Sequence, residues 1–166
     1  MNANDIRTLF DYNYWANARI MRAALQVTPE QFCAANTSSY GSLRGTLVHN
    51  LVAETIWRKR LQSEQAPLTV PAPADFLTPQ TLQQAWAAEE TLMRAYLVKL
   101  TDLDVHSTYE YKNSKGVAFH NAVWGILMHV VNHGTQHRAE AAAMLTDFNA
   151  SPGDVDMILY LREVGL

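Results

Sequence analysis

The sequence predicts an all-α fold: a four-helix bundle with one long crossover connection, a short β-hairpin before the last long helix, and a short C-terminal helix. Three observations predict it. Apolar residues recur at intervals of three and four in four separate long stretches. The long interruption between the second and third of these is rich in proline, which cannot continue a helix. One short segment ahead of the fourth stretch combines alternating aromatic residues with a turn sequence, the mark of a hairpin. At 166 residues the chain is expected to form one domain around one substantial core.

The first helix is expected from Asn4 to about Val27, with Ile6, Leu9, Phe10, Trp15, Ile20, Met21 and Leu25 on its apolar side, ending before "TPEQ". Ser42, closing the polar stretch "NTSSYGS", is the expected N-cap of the second. That helix carries Leu43, Leu47, Leu51, Ile56 and Leu61 to about Ser63. The stretch "APLTVPAPADFLTP", with Pro67, Pro71, Pro73 and Pro79, reads as an extended crossover over the surface. Thr78 or Thr81 then opens a third helix through Leu82, Trp86, Leu92, Tyr96 and Leu100, closing near "TDLD". In "STYEYKNSKGVAFH" the alternating aromatics and the Asn-Ser-Lys-Gly turn predict a hairpin. The fourth and longest helical pattern runs from Asn121 to about Phe148, and "GDVDMILYLREVG" reads as a terminal helix.

Apolar residues make up 48% of the chain and charged residues 17%, a composition that folds without help from a partner. The formal charge of −3 offers no basic field for phosphates, so no nucleic-acid partner is expected. The longest apolar run, around "AVWGILM", is far short of the roughly 20 residues that span a bilayer, and no membrane association is expected. One cysteine, Cys33, and a start without signal-peptide character make a cytoplasmic location the expectation. Cys33 itself reads as a small packing residue. Asn-x-Ser/Thr matches at Asn36 and Asn149 carry no weight without an export signal.

The fourth helical stretch contains "HVVNHGTQHRAE", which places His129, His133 and His137 four residues apart. On a helix such neighbours differ by about 40° in angle and about 6 Å in rise, so two of them reach one ion of the zinc class. His129 and His137, about 12 Å apart in rise, cannot both ligate a single ion with metal–nitrogen bonds near 2.0–2.1 Å. One of the two terminal histidines is therefore not a ligand. Two imidazoles alone are equally compatible with packed or surface histidines, but His49 in "TLVHNLVAETIW" offers a third donor from another helix. Three imidazoles and an open position suit a catalytic ion that activates water, a thiol or a carbonyl. Gly134 stands where a zinc-protease His-Glu-x-x-His motif needs Glu, and the Glu-x-x-His pairs of bundle di-iron proteins are missing.

These residues resemble the DinB-like family of small helical-bundle metalloproteins (DinB/YfiT-like). The similar pieces are "DYNYWANARIM", "SLRGTLVHNLVAETIW", "NHGTQHR" and "SPGDVDMILYL", which occur in family order over most of the chain. The resemblance implies a four-helix bundle, usually a homodimer, with one divalent transition metal ion, zinc or nickel, on three His ligands that map to His49, His133 and His137. It leaves His129 outside the ligand set. It further implies a metal-dependent enzyme of transferase or hydrolase type, acting on a small-molecule substrate such as a low-molecular-weight thiol. A non-catalytic metal-binding stress-response protein or a dimeric interaction module is the alternative. After Arg138 the family's common Gly-Gln is replaced by Ala139-Glu140, which brings a carboxylate near His137 as a supporting acceptor or extra ligand.

Around the triad, His129, Asn132, Arg138 and Glu140 are the expected supporting residues, with Asn132 and Arg138 in structural hydrogen bonds. Glu54, five residues after His49 and about 140° around the helix, reads as a salt-bridge partner. Trp15, Trp57, Trp86 and Trp124 suit the core or a dimer contact, and His106 and His120 suit the surface.

Overall fold

A computed structural model describes residues 1–63, 68–112 and 115–166. The chain opens with α1 (Ala3–Ala24), whose Asn2 and Asp5 cap each other's backbone N–H groups at 2.9 and 2.8 Å. A short α2 (Pro29–Cys33) follows, where the first helix was expected to give way to loop. Thr28 and Gln31 form a capping box there and Pro29 takes the first turn, a position that needs no N–H. Ser42 caps α3 (Leu43–Leu61) as predicted, accepting the Gly45 N–H at 2.9 Å. Among the described residues the crossover forms one 3₁₀ turn, at Pro73–Asp75, and buries Phe76; Ala66 and Pro67 lie outside the described residues.

Thr78, not Thr81, opens α4 (Pro79–Leu97). This helix stops three residues before the predicted Leu100, because Thr101 and Asp104 form a new capping box and start α5 (Asp102–His106). Leu92 is 49% exposed, a correction to its predicted core place: the buried stripe of α4 runs Leu82, Trp86, Glu89, Met93, Leu97, so a glutamate occupies the inward position. The predicted hairpin pairs β1 (Thr108–Lys112) with β2 (Ala118–Ala122), Tyr111 opposite Phe119. Of its predicted turn, Asn113 and Ser114 lie outside the described residues. The longest helix, α6 (Val123–Asp147), follows directly, and α7 (Met157–Val164) ends on Gly165 in the left-handed conformation with φ 76°. No described helix is long and apolar enough to cross a membrane.

The four long helices bury two apolar clusters, one at each end of the bundle. One gathers Ile6, Phe10, Met93, Leu97, Leu127 and Val130; the other gathers Ile20, Leu43, Leu47, Leu51, Leu82, Trp86 and Leu145. Where the clusters meet, each long helix turns a polar residue inward: Asn13 and Asn17 on α1, Glu54 and Arg58 on α3, Glu89 on α4, Arg138 on α6. A polar belt thus crosses the bundle near mid-height. Of the tryptophans only Trp86 is fully buried; Trp15 and Trp57 are half-buried, and Trp124 is 39% exposed on α6.

Candidate metal centre

The fourfold spacing on α6 puts His129, His133 and His137 on one stripe, and α3 packs against that stripe so that His49 meets two of them. His49 Nε2 lies 2.9 Å from His133 Nε2, and donor nitrogens of His49, His133 and His137 all fall within 4.8 Å of one another. In a tetrahedral zinc-class site, bonds of 2.0–2.1 Å place ligand nitrogens roughly 3.3 Å apart, so an ion needs the close pair to open by a few tenths of an ångström and a pair at 4.8 Å to close by about 1.5 Å. His133 Nδ1 is buried without a partner, which leaves Nε2, facing His49, as the nitrogen committed to the site. Burial and the neighbouring imidazoles hold His133 down to about 4 and lower His49 as well. Both rings are therefore neutral near neutral pH, the form that ligates metal.

Glu140 takes one of the two roles expected of it. Its Oε2 accepts from His137 Nδ1 at 3.0 Å, and Ser39 Oγ donates to its Oε1 at 3.3 Å. The carboxylate fixes the ring and directs Nε2 of His137 as its free nitrogen, the arrangement that raises ligand basicity in His–carboxylate metal sites.

Tyr40 is a site residue that the sequence reading missed. Its ring stacks on His49 with centroids 3.8 Å apart and meets His137 edge-on at 5.2 Å. The loop before α3 is folded tightly enough to do this because Gly41 adopts φ 71° and Gly45 has no Cβ; one built there would sit 2.1 Å from the Tyr40 carbonyl oxygen. "SSYGSLRG" holds the signal in its two glycines following an aromatic, but no periodicity places that ring over a histidine.

Beneath the triad lies the polar belt. Arg138, 1% exposed, donates through Nη1 to Asn13 Oδ1 and to Asn17 Oδ1 (2.9 Å), and through Nη2 to Thr135 Oγ1 (3.0 Å), tying α6 to α1. Its predicted structural hydrogen bond is present, and these bonds go to α1 and Thr135 rather than to a site histidine. Gly134 makes room for this guanidinium: a Cβ there would lie 2.8 Å from Arg138 Nη1 and 2.9 Å from Asn13 Oδ1. Glu54 is a buried acceptor and not the predicted salt-bridge partner, taking the Tyr14 hydroxyl at 2.5 Å and Asn13 Nδ2 at 3.5 Å. Burial pushes the Glu54 carboxyl up to about 7 despite the Tyr14 hydrogen bond, and burial together with Glu54 pushes the Tyr14 hydroxyl up. Arg58 and Glu89 close the belt as a buried ion pair between α3 and α4.

His129 stands beside the triad without joining it, its exposed ring 5.7 Å from that of His133 and 5.8 Å from Trp57. Asn132 is exposed on α6, because one residue before His133 is a 100° step off the inward stripe, and its expected structural hydrogen bond is not seen. His106 and His120 are exposed as expected, and Cys33 is half-buried at the end of α2 against the second apolar cluster.

The chain is similar to known proteins over nearly its whole length. The family model described as DinB family matches residues 1–164. Over 162 residues the chain is 25% identical to Protein DinB of Bacillus subtilis (strain 168), covering 92% of this chain and 91% of that relative.

Proposed function

Given that the chain belongs to the DinB family, we propose that it is a metal-dependent enzyme holding one divalent transition ion, zinc or nickel, on His49, His133 and His137. One observation carries this reading: three imidazoles from two helices present nitrogens within 4.8 Å of one another. When bound, a divalent ion supplies Lewis acidity and an open position for a substrate oxygen or sulfur. The chain's own residues do the remaining work. Glu140 orients His137, Tyr40 covers one face of His49, and the exposed rim at His129 leaves a side on which a small molecule enters. A small thiol suits this position, because coordination favours the thiolate over the thiol. Transferase or hydrolase chemistry, and a homodimer in the cytoplasm, complete the proposal.

Elemental analysis of protein purified without an immobilised-metal column tests the core of the reading. About one zinc or nickel per chain is expected, falling to near zero in His133→Ala. Equal metal content in the two proteins rules the site out.

A further inference from the structure

Beside the triad lies a cavity of about 390 Å³ for which metal ligation has no use. Its walls come from α3, the hairpin and the first turns of α6: Trp57, Tyr111, Asn121, Trp124, Gly125 and His129 among them. Trp57 and Tyr111 meet edge to face with centroids 4.9 Å apart. Rings held this way present faces and edges that suit a flat conjugated ligand better than a flexible aliphatic one. The guanidinium of Arg60 sits 5.0 Å from the Trp57 ring and 5.5 Å from that of Tyr111, and it pairs with no carboxylate among the described residues. Arg60 is not itself a wall residue, but a positive charge within 5.5 Å of two wall rings favours an anion over an uncharged ligand in the cavity. Asn121 accepts the Tyr111 hydroxyl at 3.0 Å through Oδ1, which leaves its amide N–H groups as donors. His129 also lines the cavity, its ring centroid 5.8 Å from that of Trp57 and 5.7 Å from that of His133.

We propose that this cavity binds a planar aromatic molecule carrying a carboxylate and that it is the substrate pocket of the adjoining metal centre. The proposal rests on the metal reading above for its second half only. A ring held between Trp57, Tyr111 and Trp124 abuts His129, one side chain away from the ligand His133. Occupancy of the pocket and occupancy of the triad therefore influence each other through the shared His129 wall.

The probe is 2-naphthoate, with 2-naphthol as its uncharged counterpart, followed by quenching of tryptophan fluorescence, since Trp57 and Trp124 line the cavity. Gly125→Leu is the blocking variant. A Cβ at Gly125 meets nothing within 4 Å, so the new side chain enters open space, and leucine is a better helix former than glycine. Wild-type protein is expected to bind naphthoate saturably and at least fivefold more tightly than naphthol. Gly125→Leu is expected to bind naphthoate at least tenfold more weakly, with zinc stoichiometry by titration calorimetry unchanged. Zinc loading of the wild type is expected to shift naphthoate affinity at least threefold. Equal naphthoate affinity in wild type and Gly125→Leu, or no preference over naphthol, overturns the pocket. An affinity indifferent to zinc overturns its assignment to the metal centre. Should the wild type bind no zinc, the metal reading fails by itself, while the naphthoate comparison in metal-free protein still decides the pocket.

Discussion

Replacing Gly134 by alanine pits two effects against each other, and the structure says which wins. Gly134 lies in the interior of α6, where alanine is worth about 1 kcal/mol in helix propensity. Against this, the new methyl would stand 2.8 Å from Arg138 Nη1 and 2.9 Å from Asn13 Oδ1. Such overlap is cheap when a side-chain end swings into water. Here both residues are 1% exposed, and Arg138 is already held by Asn17 and Thr135. The overlap therefore displaces the Arg138–Asn13 hydrogen bond inside the core. A buried hydrogen bond to a charged group contributes about 1.5–3 kcal/mol, and the orphaned polar groups cost about 1–3 kcal/mol more. Less the propensity gain, Gly134→Ala is expected to destabilise by about 3 kcal/mol, or roughly 6–12 °C in Tm for a chain of this size. Urea unfolding and thermal melting followed by circular dichroism, both in a chelator so that metal does not contribute, measure it. A variant as stable as wild type, or more stable by the propensity term, refutes the reasoning.

Two further outcomes follow from the same geometry. Glu140→Ala removes the acceptor of His137 Nδ1 and is expected to weaken zinc binding by about 10–100-fold in a competition titration, with the fold retained by circular dichroism; unchanged affinity would deny the carboxylate its orienting role. Glu54 titrates with the opposite sign from an ordinary paired carboxylate. Its carboxyl is raised to about 7 in the folded chain, so its stabilising contribution is complete below the unfolded value near 4.5 and is lost as pH rises through about 7. Glu54→Gln lacks this titration, so the stability of the variant minus that of wild type should grow by about 3 kcal/mol across the window; a flat difference in chelator-treated samples would contradict the burial argument.

The parts of the molecule legible in the sequence are those set by spacing along one helix. The threefold and fourfold recurrence of apolar residues marks α1, α3, α4 and α6, and the same arithmetic places His133 and His137 on one side of α6 with Glu140 one turn on. His49 was readable because two histidines leave a transition metal underfilled and His49 offers the third donor from another helix. What escaped depends on contacts between distant segments. Asn13 and Asn17 look like ordinary helix polars until Arg138 arrives between them. Glu89 took the inward place assigned to Leu92 because Arg58 waits opposite, a pairing that no single-helix pattern encodes. Tyr40 reaches His49 only through a close approach of loop to helix at Gly45. The short α2 and α5 depend on capping boxes at Thr28 and Thr101, a signal too local for apolar periodicity to register.

The belt of buried polar groups fixes how far each helix slides along its neighbours. A shift of α3 against α6 by one turn, about 5.4 Å, requires at least one of them to slip on α1, which pulls Glu54 from Tyr14 and Asn13 or Arg138 from Asn13 and Asn17 into aliphatic surroundings, where unpaired charge is strongly disfavoured. Apolar packing alone tolerates such a slip far better, since one leucine replaces another. His49 lies on the same helix as Glu54, and His137 is the immediate neighbour of Arg138. The vertical alignment that brings the imidazoles together is thus enforced by residues that never touch them, and substitutions in the belt are expected to misalign the histidines without altering any of the three.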